Sequence, residues 1–365
     1  MLAVRCRRGG KRAADRQPCH RRAADGDAAP PVPAGPGSMT SPRIWVLLGP
    51  RTGDNNQALA LAEALGLPFE TRTLRYNPLQ ALSVRLPPTA ATLDRASRRH
   101  LRPPWPDLVI AIGRRSVPVA RWIARRNSGR TRLVRIGHPR IDPRLFDLVI
   151  TTRQYPVPPG DNVLLLPLAM SRFSNPPEPT ADEADWLAEL PSPRRLLAIG
   201  GATKYWSLSA PRVAQASQSL QGRAGSLVIA TSRRTDSEVT AAVKAALSPS
   251  TRLVEGAFPR FPVLLSQADE IYVTGDSVSM LSEAILTGKP VGLVPIEQDE
   301  KGRRKLGETP QDVGPDARRR DLRRFWDYLQ QENLVGTVEQ PRAAKIENPV
   351  ETAARSVRVL LGDLG

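Results

Sequence analysis

A Gly-Gly-Ala-Thr-Lys run at 200–204 and a Gly-Asp-Ser-Val-Ser run at 275–279 carry the residue types best suited to holding an anion in this 365-residue sequence. Each follows a short apolar, β-prone stretch. Backbone N–H groups left free where a strand turns into a helix form an anion site, and a nearby Lys or Arg adds charge. Comparable turns lie at 49–56, 113–116 and 137–140. Such turns occur throughout α/β proteins, so a purely structural reading of Gly200, Gly201, Thr203 and Lys204 stands beside the phosphate-cradle reading. Glu283 falls in the second turn of the helix that follows Gly275. A carboxylate there can accept two hydrogen bonds from ribose hydroxyls while the N–H groups of the 275–279 turn face a diphosphate; the alternative is a solvated helix glutamate.

Several other chemistries lack their residues. There is no G-x-x-x-x-G-K-[ST] phosphate loop, and Gly288-Lys289 is followed by Pro290 at a helix end. No G-x-G-x-x-G follows a strand. Asp182-Glu183-Ala184-Asp185 spells a helicase-like string but reads as acidic residues at a helix start, where they complement the dipole. Both cysteines, Cys6 and Cys19, lie in the first 38 residues, and the histidines are His20, His100 and His138, so no metal site is expected.

The elements that must position these turns alternate in type. Apolar β-prone runs at 44–49, 107–113, 132–137, 147–152 and 162–170 are separated by helical patterns such as QALALAEALG and VPVARWIARRN. Residues 171–193 interrupt the rhythm with five prolines, and it then resumes with strands at 194–201, 226–232, 251–256, 270–275 and 290–296. Continuous apolar strands between helices imply parallel sheets buried on both faces. The expected fold class is therefore α/β, with two Rossmann-like domains facing a cleft, because open parallel sheets bind ligands beyond their C-terminal strand ends. The expected organisation is a disordered extension or misassigned start at 1–38, an acceptor-side domain at 39–172, a linker at 173–193, a second domain at 194–340 and a helical tail at 341–365. A helix at 315–332 and the tail could pack across the hinge or pair with another subunit.

Charge is unevenly placed. Of the net +17, residues 39–172 carry +13 from 21 basic and 8 acidic groups, and residues 173–365 carry −1 from 24 and 25. Arg72, Arg75, Arg85, Arg95, Arg98, Arg99 and Arg102 crowd a partly apolar stretch, which reads as a solvated basic face or as a surface for anionic lipid. Sparse aromatics and the lack of a known module argue against specific nucleic-acid binding. No apolar run reaches the ~18–20 residues that a membrane span needs. The 1–38 segment lacks a secretory h-region.

The 266–296 segment resembles the donor-nucleotide signature of GT-B glycosyltransferases, through Ala268-Asp269, Gly275, Ser279, Glu283-Ala284, Gly288-Lys289-Pro290 and Pro295. With Gly53-Asp54-Asn55-Asn56-Gln57, Gly113-Arg114-Arg115-Ser116 and His138-Pro139-Arg140, the chain over about 43–335 resembles the elongated-mitochondria family of mitochondrial fission proteins. That resemblance implies a GT-B-like fold. It also implies, for bacterial members, a glycosyltransferase that takes a nucleoside-diphosphate sugar as donor substrate, with no cofactor. Carried onto this chain, Glu283 would hold the ribose, and Gly200, Gly201, Thr203, Lys204, Gly275, Ser277 and Ser279 would hold the diphosphate. Asp54 and His138 are the candidate general bases, since both follow strand ends that should face the cleft; a helix-capping Asp54 and a plain turn histidine are the alternatives. The charge placement points to an anionic lipid or glycan acceptor. The expected location is cytoplasmic, with peripheral attachment at the inner membrane as its membrane-facing variant. An interaction protein of the fission type and a nucleotide-sugar epimerase are the competing readings.

Overall fold

In the computed structural model, residues 41–174, 176–310 and 319–362 are described. The expectation for 1–38 and the first part of the 315–332 helix lie outside them.

The apolar runs of the first half become strands of one parallel sheet. β1 (Ile44–Leu48), α1 (Thr52–Ala64), β2 (Phe69–Thr73), α2 (Arg95–Arg99), β3 (Leu108–Ile112), α3 (Val117–Arg126), β4 (Arg132–Ile136), β5 (Leu148–Thr152) and β6 (Val163–Leu166) follow one another. Their sheet order is β2-β1-β3-β4-β5-β6. β3 and β5 are buried at all five positions, as central strands covered on both faces must be. β2, with the sequence FETRT, escapes a search for apolar runs. It is an edge strand, and two of its five side chains are half-buried while the rest are exposed.

The second half repeats the plan with α4 (Ala181–Ala188), β7 (Arg194–Ile199), β8 (Trp206–Ser207), α5 (Ala210–Gln221), β9 (Ser226–Thr231), α6 (Ser237–Ala245), β10 (Thr251–Val254), α7 (Phe261–Gln267), β11 (Glu270–Thr274), α8 (Val278–Leu286), β12 (Val291–Val294) and β13 (Glu297–Gln298). The parallel order is β10-β9-β7-β11-β12, and β8 and β13 add a short antiparallel ribbon. α9 (Glu300–Leu306), α10 (Arg323–Gln331) and α11 (Pro349–Gly362) close the chain. The strand order reverses at β1 in the first sheet and at β7 in the second, and the loops at their C-terminal ends mark the topological switch of each sheet.

From Ser41 onward the contacts form one compact unit. The stretch expected to be a linker contributes a packed helix. Thr180 and Glu183 form a reciprocal capping box on α4, the buried Glu183 carboxylate pairs with Arg260 at 2.5 Å, and Leu187 joins the core of the second sheet. The chain end then returns: Val350, Ala353, Ala354 and Val357 of α11 are buried in the core of the first sheet with Ala58, Leu61 and Ile110. The tail therefore packs back on the N-terminal sheet.

Candidate functional site

On the first sheet the loops that follow β3 and β4 are held together by one buried arginine. Arg135 of β4 is 2% exposed. Its Nη1 donates to the carbonyls of Gly113 (3.0 Å) and Ala111 (3.5 Å) and to Ser116 Oγ (3.3 Å), and its Nη2 donates to the His138 carbonyl at 3.1 Å. Burial pulls its guanidinium down to about 10, so it stays charged at neutral pH. Asp54 lies in the first turn of α1, over the Gly113 turn, where a Cβ would sit 3.8 Å from Asp54 Oδ2. That turn needs glycine for its φ of +80°. The N-cap of α1 is Arg51, so Asp54 is not the capping residue. Asn55 next to it secures the β1 loop by exchanging hydrogen bonds with Gly49 N–H (2.9 Å) and Gly49 carbonyl (2.8 Å). Burial raises the Asp54 carboxyl above its ordinary value, while Arg51, Arg135 and Arg320 oppose the rise.

His138 is half-buried, and its Nδ1 accepts the Arg140 N–H at 2.9 Å. With that lone pair engaged, the neutral ring carries its proton on Nε2. The ring meets Tyr155 edge-on, with centroids 6.2 Å apart. Tyr155 in turn stands close enough to Arg135, Arg140 and Arg320 to interact with all three charges.

On the second sheet the glycine turn is already filled by the protein. The carboxylate of Asp276, 2% exposed, accepts Gly201 N–H at 3.0 Å, Thr274 hydroxyl at 2.7 Å and Arg234 Nη2 at 2.8 Å. Gly200 N–H goes to Thr274 Oγ1 at 2.8 Å. A Cβ on Gly200 would lie 2.0 Å from Asp276 Oδ2, and one on Gly201 would lie 1.8 Å from the Arg234 carbonyl oxygen. These glycines permit close packing, and their N–H groups are not turned to an outside anion as the sequence suggested. Thr203 exchanges backbone hydrogen bonds with Trp206, both at 3.0 Å. Lys204 is exposed, with its ammonium 4.8 Å from the Tyr205 ring centroid. Burial would raise the Tyr205 hydroxyl, but Lys204 and Arg319 outweigh it and hold the group below its ordinary value. Gly275 is roofed by Trp326 of α10, whose Nε1 donates to the Gly275 carbonyl at 2.9 Å. Ser277 caps α8 by accepting Met280 N–H at 3.4 Å, and Ser279 lies half-buried in the first turn of that helix.

Glu283 lies further along α8, half-buried and turned toward the first half of the chain. It accepts the Ser171 hydroxyl at 2.7 Å. One residue earlier, Ser282 Oγ accepts Ala169 N–H at 2.9 Å and anchors the same crossing segment. Burial raises the Glu283 carboxyl, against the opposing Ser171 bond. Lys289 of the Gly-Lys-Pro sequence is structural, since its Nζ donates to the carbonyls of Ser266 and Ala268 at the end of α7.

Asp54 and His138 are thus gathered around Arg135, and Gly200, Gly201 and Gly275 around Asp276. The residue that connects the two groups is one that sequence reasoning passed over. Arg320 interacts with both Asp54 and Asp276. It reaches Gln154 through its Nε, and the next residue, Asp321, donates its N–H to the Gln154 carbonyl at 3.0 Å. Arg153 lies over the Tyr328 ring of α10 at 4.4 Å. The C-terminal strand ends of the two sheets therefore face one another across a gap. Arg135 did leave a signal, as a charged residue inside the apolar strand RLVRI, and Asp276 left one by following the Gly275 turn. Arg234, Tyr155 and Arg320 left none.

With this geometry in hand, comparisons with known proteins agree on architecture and lineage. The structure superposes on UDP-GlcNAc 2-epimerase from Neisseria meningitidis, bound to UDP-GlcNAc, with a TM-score of 0.51 and 14% identity, covering 88% of this chain and 100% of that one. It matches S. aureus MnaA, solved with UDP, at 0.50 and 13% identity, over 87% of this chain and 95% of that one. These likenesses establish the two-sheet, GT-B-like fold. Among curated proteins, mitochondrial fission protein ELM1 of Arabidopsis thaliana is 30% identical over 261 residues, 61% of this chain and 60% of its own length. The Rickettsia prowazekii protein RP120 is 25% identical over 292 residues, 68% of this chain and 82% of its own. The chain thus spans about three fifths of the Arabidopsis relative. The family model "Mitochondrial fission ELM1" matches residues 52–361, which include Asp54, Arg135, His138, Asp276, Glu283 and Arg320. The chain belongs to the mitochondrial fission ELM1 family.

Proposed function

We propose that the protein is a glycosyltransferase that binds a nucleoside-diphosphate sugar against its second sheet and transfers the sugar to an anionic, membrane-associated acceptor on the first. The observation that carries this reading is Glu283: a half-buried carboxylate, turned toward the interlobe crossing, already accepting a hydroxyl from Ser171 at 2.7 Å. A carboxylate that receives one hydroxyl in that place has the chemistry to receive those of a ribose. The fold likeness to proteins solved with UDP-GlcNAc and UDP supports the same class of ligand. The donor is a substrate, so no resident cofactor is invoked.

In the transfer, Asp54 takes the proton of the acceptor hydroxyl. The oxygen attacks the sugar's anomeric carbon, and the bond from that carbon to the diphosphate breaks, releasing the nucleoside diphosphate. Asp54 is favoured over His138 because the histidine's Nδ1 lone pair is committed to Arg140 N–H. Acceptor recognition draws on exposed arginines at 75, 85, 95, 98, 99 and 102, beside Leu79 (49% exposed) and Leu82 (46% exposed). Arg72 is set apart from them by its pairing with Glu70 at 2.6 Å.

The family relationship favours a second reading, an interaction protein without transfer, and the epimerase likeness a third. Thermal melting with nucleoside diphosphates separates the first and third from the second. A ligand at about 100 times its Kd stabilises by ~2.7 kcal/mol. Glu283→Ala should remove most of that gain, since a hydrogen bond to a charged group contributes ~1.5–3 kcal/mol. No shift with any nucleoside diphosphate supports the interaction protein, and acceptor-independent conversion of one nucleotide sugar into its epimer supports the third reading.

A further inference from the structure

Charge is segregated between the two sides of the first sheet. The layer made by residues 75–102 and α3 packs on one side, where Leu93 and Leu101 of the segment and Val119 and Ile123 of the helix share a core with Trp45, Val109 and Leu133. α1 and α11 cover the other side. The outward surface of the first layer is therefore one face of the molecule. Residues 75–130 hold twelve arginines, no lysine, no glutamate and two aspartates. Both aspartates are committed to the backbone: Asp94 accepts Ser97 N–H at 2.7 Å, and Asp107 accepts Arg43 N–H at 2.8 Å. Arg95, Arg98, Arg99, Arg102, Arg125 and Arg126 are exposed, and none of them forms an ion pair among the described residues. On the opposite side the cations are matched, since Glu63 of α1 pairs with Arg172 and Glu347 with Arg355 of α11.

Two apolar features lie within the basic layer. The turn Pro78–Leu82 presents Leu79 and Leu82, both close to half exposed. The turn is fixed in place: Asn77 Oδ1 accepts Leu79 N–H at 2.9 Å, and Asn77 Nδ2 donates to the carbonyls of Ala91 (2.7 Å) and Leu93 (3.1 Å). Leucines held out in water contribute nothing to folding, whereas entry among acyl chains removes their surface from water. Trp105 and Trp122 are half-buried and meet edge to face with centroids 5.7 Å apart, and Arg126 lies over the Trp122 ring at 5.3 Å. Such amphipathic rings suit the level of lipid headgroups. Guanidinium forks grip phosphate oxygens while their stems lie along apolar surface. A nucleic acid would use the arginines and leave the leucines in water, and an apolar protein surface would leave the arginines unmatched.

We propose that this face docks on an anionic lipid bilayer, with Leu79 and Leu82 entering the interface and the arginines of α2 and α3 seated on lipid phosphates. The Pro78–Leu82 turn follows the C-terminal end of β2, and Arg115 of the Gly113 turn lies over the Tyr76 ring at 5.9 Å. The docked turn thus borders the strand ends that carry Asp54. The inference deepens the function proposed above by naming a bilayer as the place where the acceptor is met, and it rests on that reading for the acceptor alone.

Flotation of the full chain with vesicles tests this, comparing phosphatidylcholine alone with phosphatidylcholine that also contains phosphatidylglycerol. The proteins are wild type, Leu79→Ser/Leu82→Ser, Arg98→Gln/Arg99→Gln and, on the other side of the sheet, Arg355→Gln, with melting curves to confirm folding. Binding to the anionic vesicles should be at least about tenfold tighter than to the neutral ones, weaken with salt and be unmoved by Arg355→Gln. The arginine variant should bind the anionic vesicles roughly tenfold more weakly or worse. The leucine variant should lose roughly tenfold as well, while keeping the salt dependence. Inorganic phosphate should not release the protein; release would assign the arginines to a free anion and overturn the docking. Equal binding to both kinds of vesicle overturns it too. So does wild-type binding by both face variants, the result expected if residues 1–38 carried the attraction. Duplex DNA bound as tightly as the anionic vesicles, with the leucine variant unchanged, would reassign the face to polyanions and overturn the bilayer. The nucleoside-diphosphate melting shift reads the transferase separately. Vesicle binding without that shift keeps the docking and removes the transferase, and the shift without vesicle binding overturns the docking alone.

Discussion

Asp54 illustrates how much a carboxylate's duty depends on its surroundings. On α1 it could have been a helix cap, but the cap position belongs to Arg51, and Asp54 instead overhangs the Gly113 turn beside Arg135. Burial raises its pKa, so the ionised form that the proposed transfer would use is lost as pH falls through a value above the ordinary 3.8. Transfer rate should therefore decline on the acid side, and Asp54→Asn should remove that limb along with about 10²–10⁴ of the rate. The nucleotide-induced melting shift should survive the substitution, because Asp54 belongs to the first sheet and Glu283 to the second. Rate measurements across pH on both proteins check this; an unchanged rate in Asp54→Asn removes the residue from catalysis.

At the scale of elements, the second sheet's turn shows a glycine pair selected for proximity. Gly201→Ala would drive a Cβ to 1.8 Å from the Arg234 carbonyl oxygen, a backbone atom with little room to retreat. We expect a loss of more than about 3 kcal/mol in chemical denaturation, with the mutant poorly folded. α4 supplies a different lever. Arg260 beside Glu183 holds its carboxyl down at about 2, against an ordinary 4.5. A depressed carboxylate pKa stabilises the folded state fully above its unfolded value, and that contribution fades as pH falls from about 4.5 toward 2. Denaturant midpoints of wild type and Glu183→Gln should thus differ at neutral pH and converge over that window. A constant difference would mean that the ion pair does not set the carboxyl's acidity.

For the whole molecule, α11 determines whether the first sheet has a complete core. Its Val350 and Val357 are 3% and 0% exposed among residues of α1 and the sheet. Ending the chain at Asn348 would uncover that face. Each valine contributes about 1.5–3 kcal/mol of burial, so the truncated protein should lose at least ~3 kcal/mol and melt at a clearly lower temperature. An unchanged melting temperature would show the helix to be dispensable. Alternation of apolar strands with helices revealed both sheets and ten of the eleven strands within them. The remaining strand, β2, is a polar edge. The site was legible only in part: the Gly-rich turns and Glu283 stand out by type and spacing, but which N–H groups face outward is decided by Asp276 and Arg234, brought from other strand ends.

Local chemistry written in the chain was sufficient for element type, for parallel pairing and for the position of the turns, because apolar periodicity and turn residues act over a few neighbours. The tertiary structure alone decided what those turns do. Arg320 and Gln154 lie 166 positions apart in the chain, and Glu283 and Ser171 lie 112 apart. Side chains so distant meet only after the cores have formed and brought their strand ends face to face, and no periodicity in the chain records that meeting.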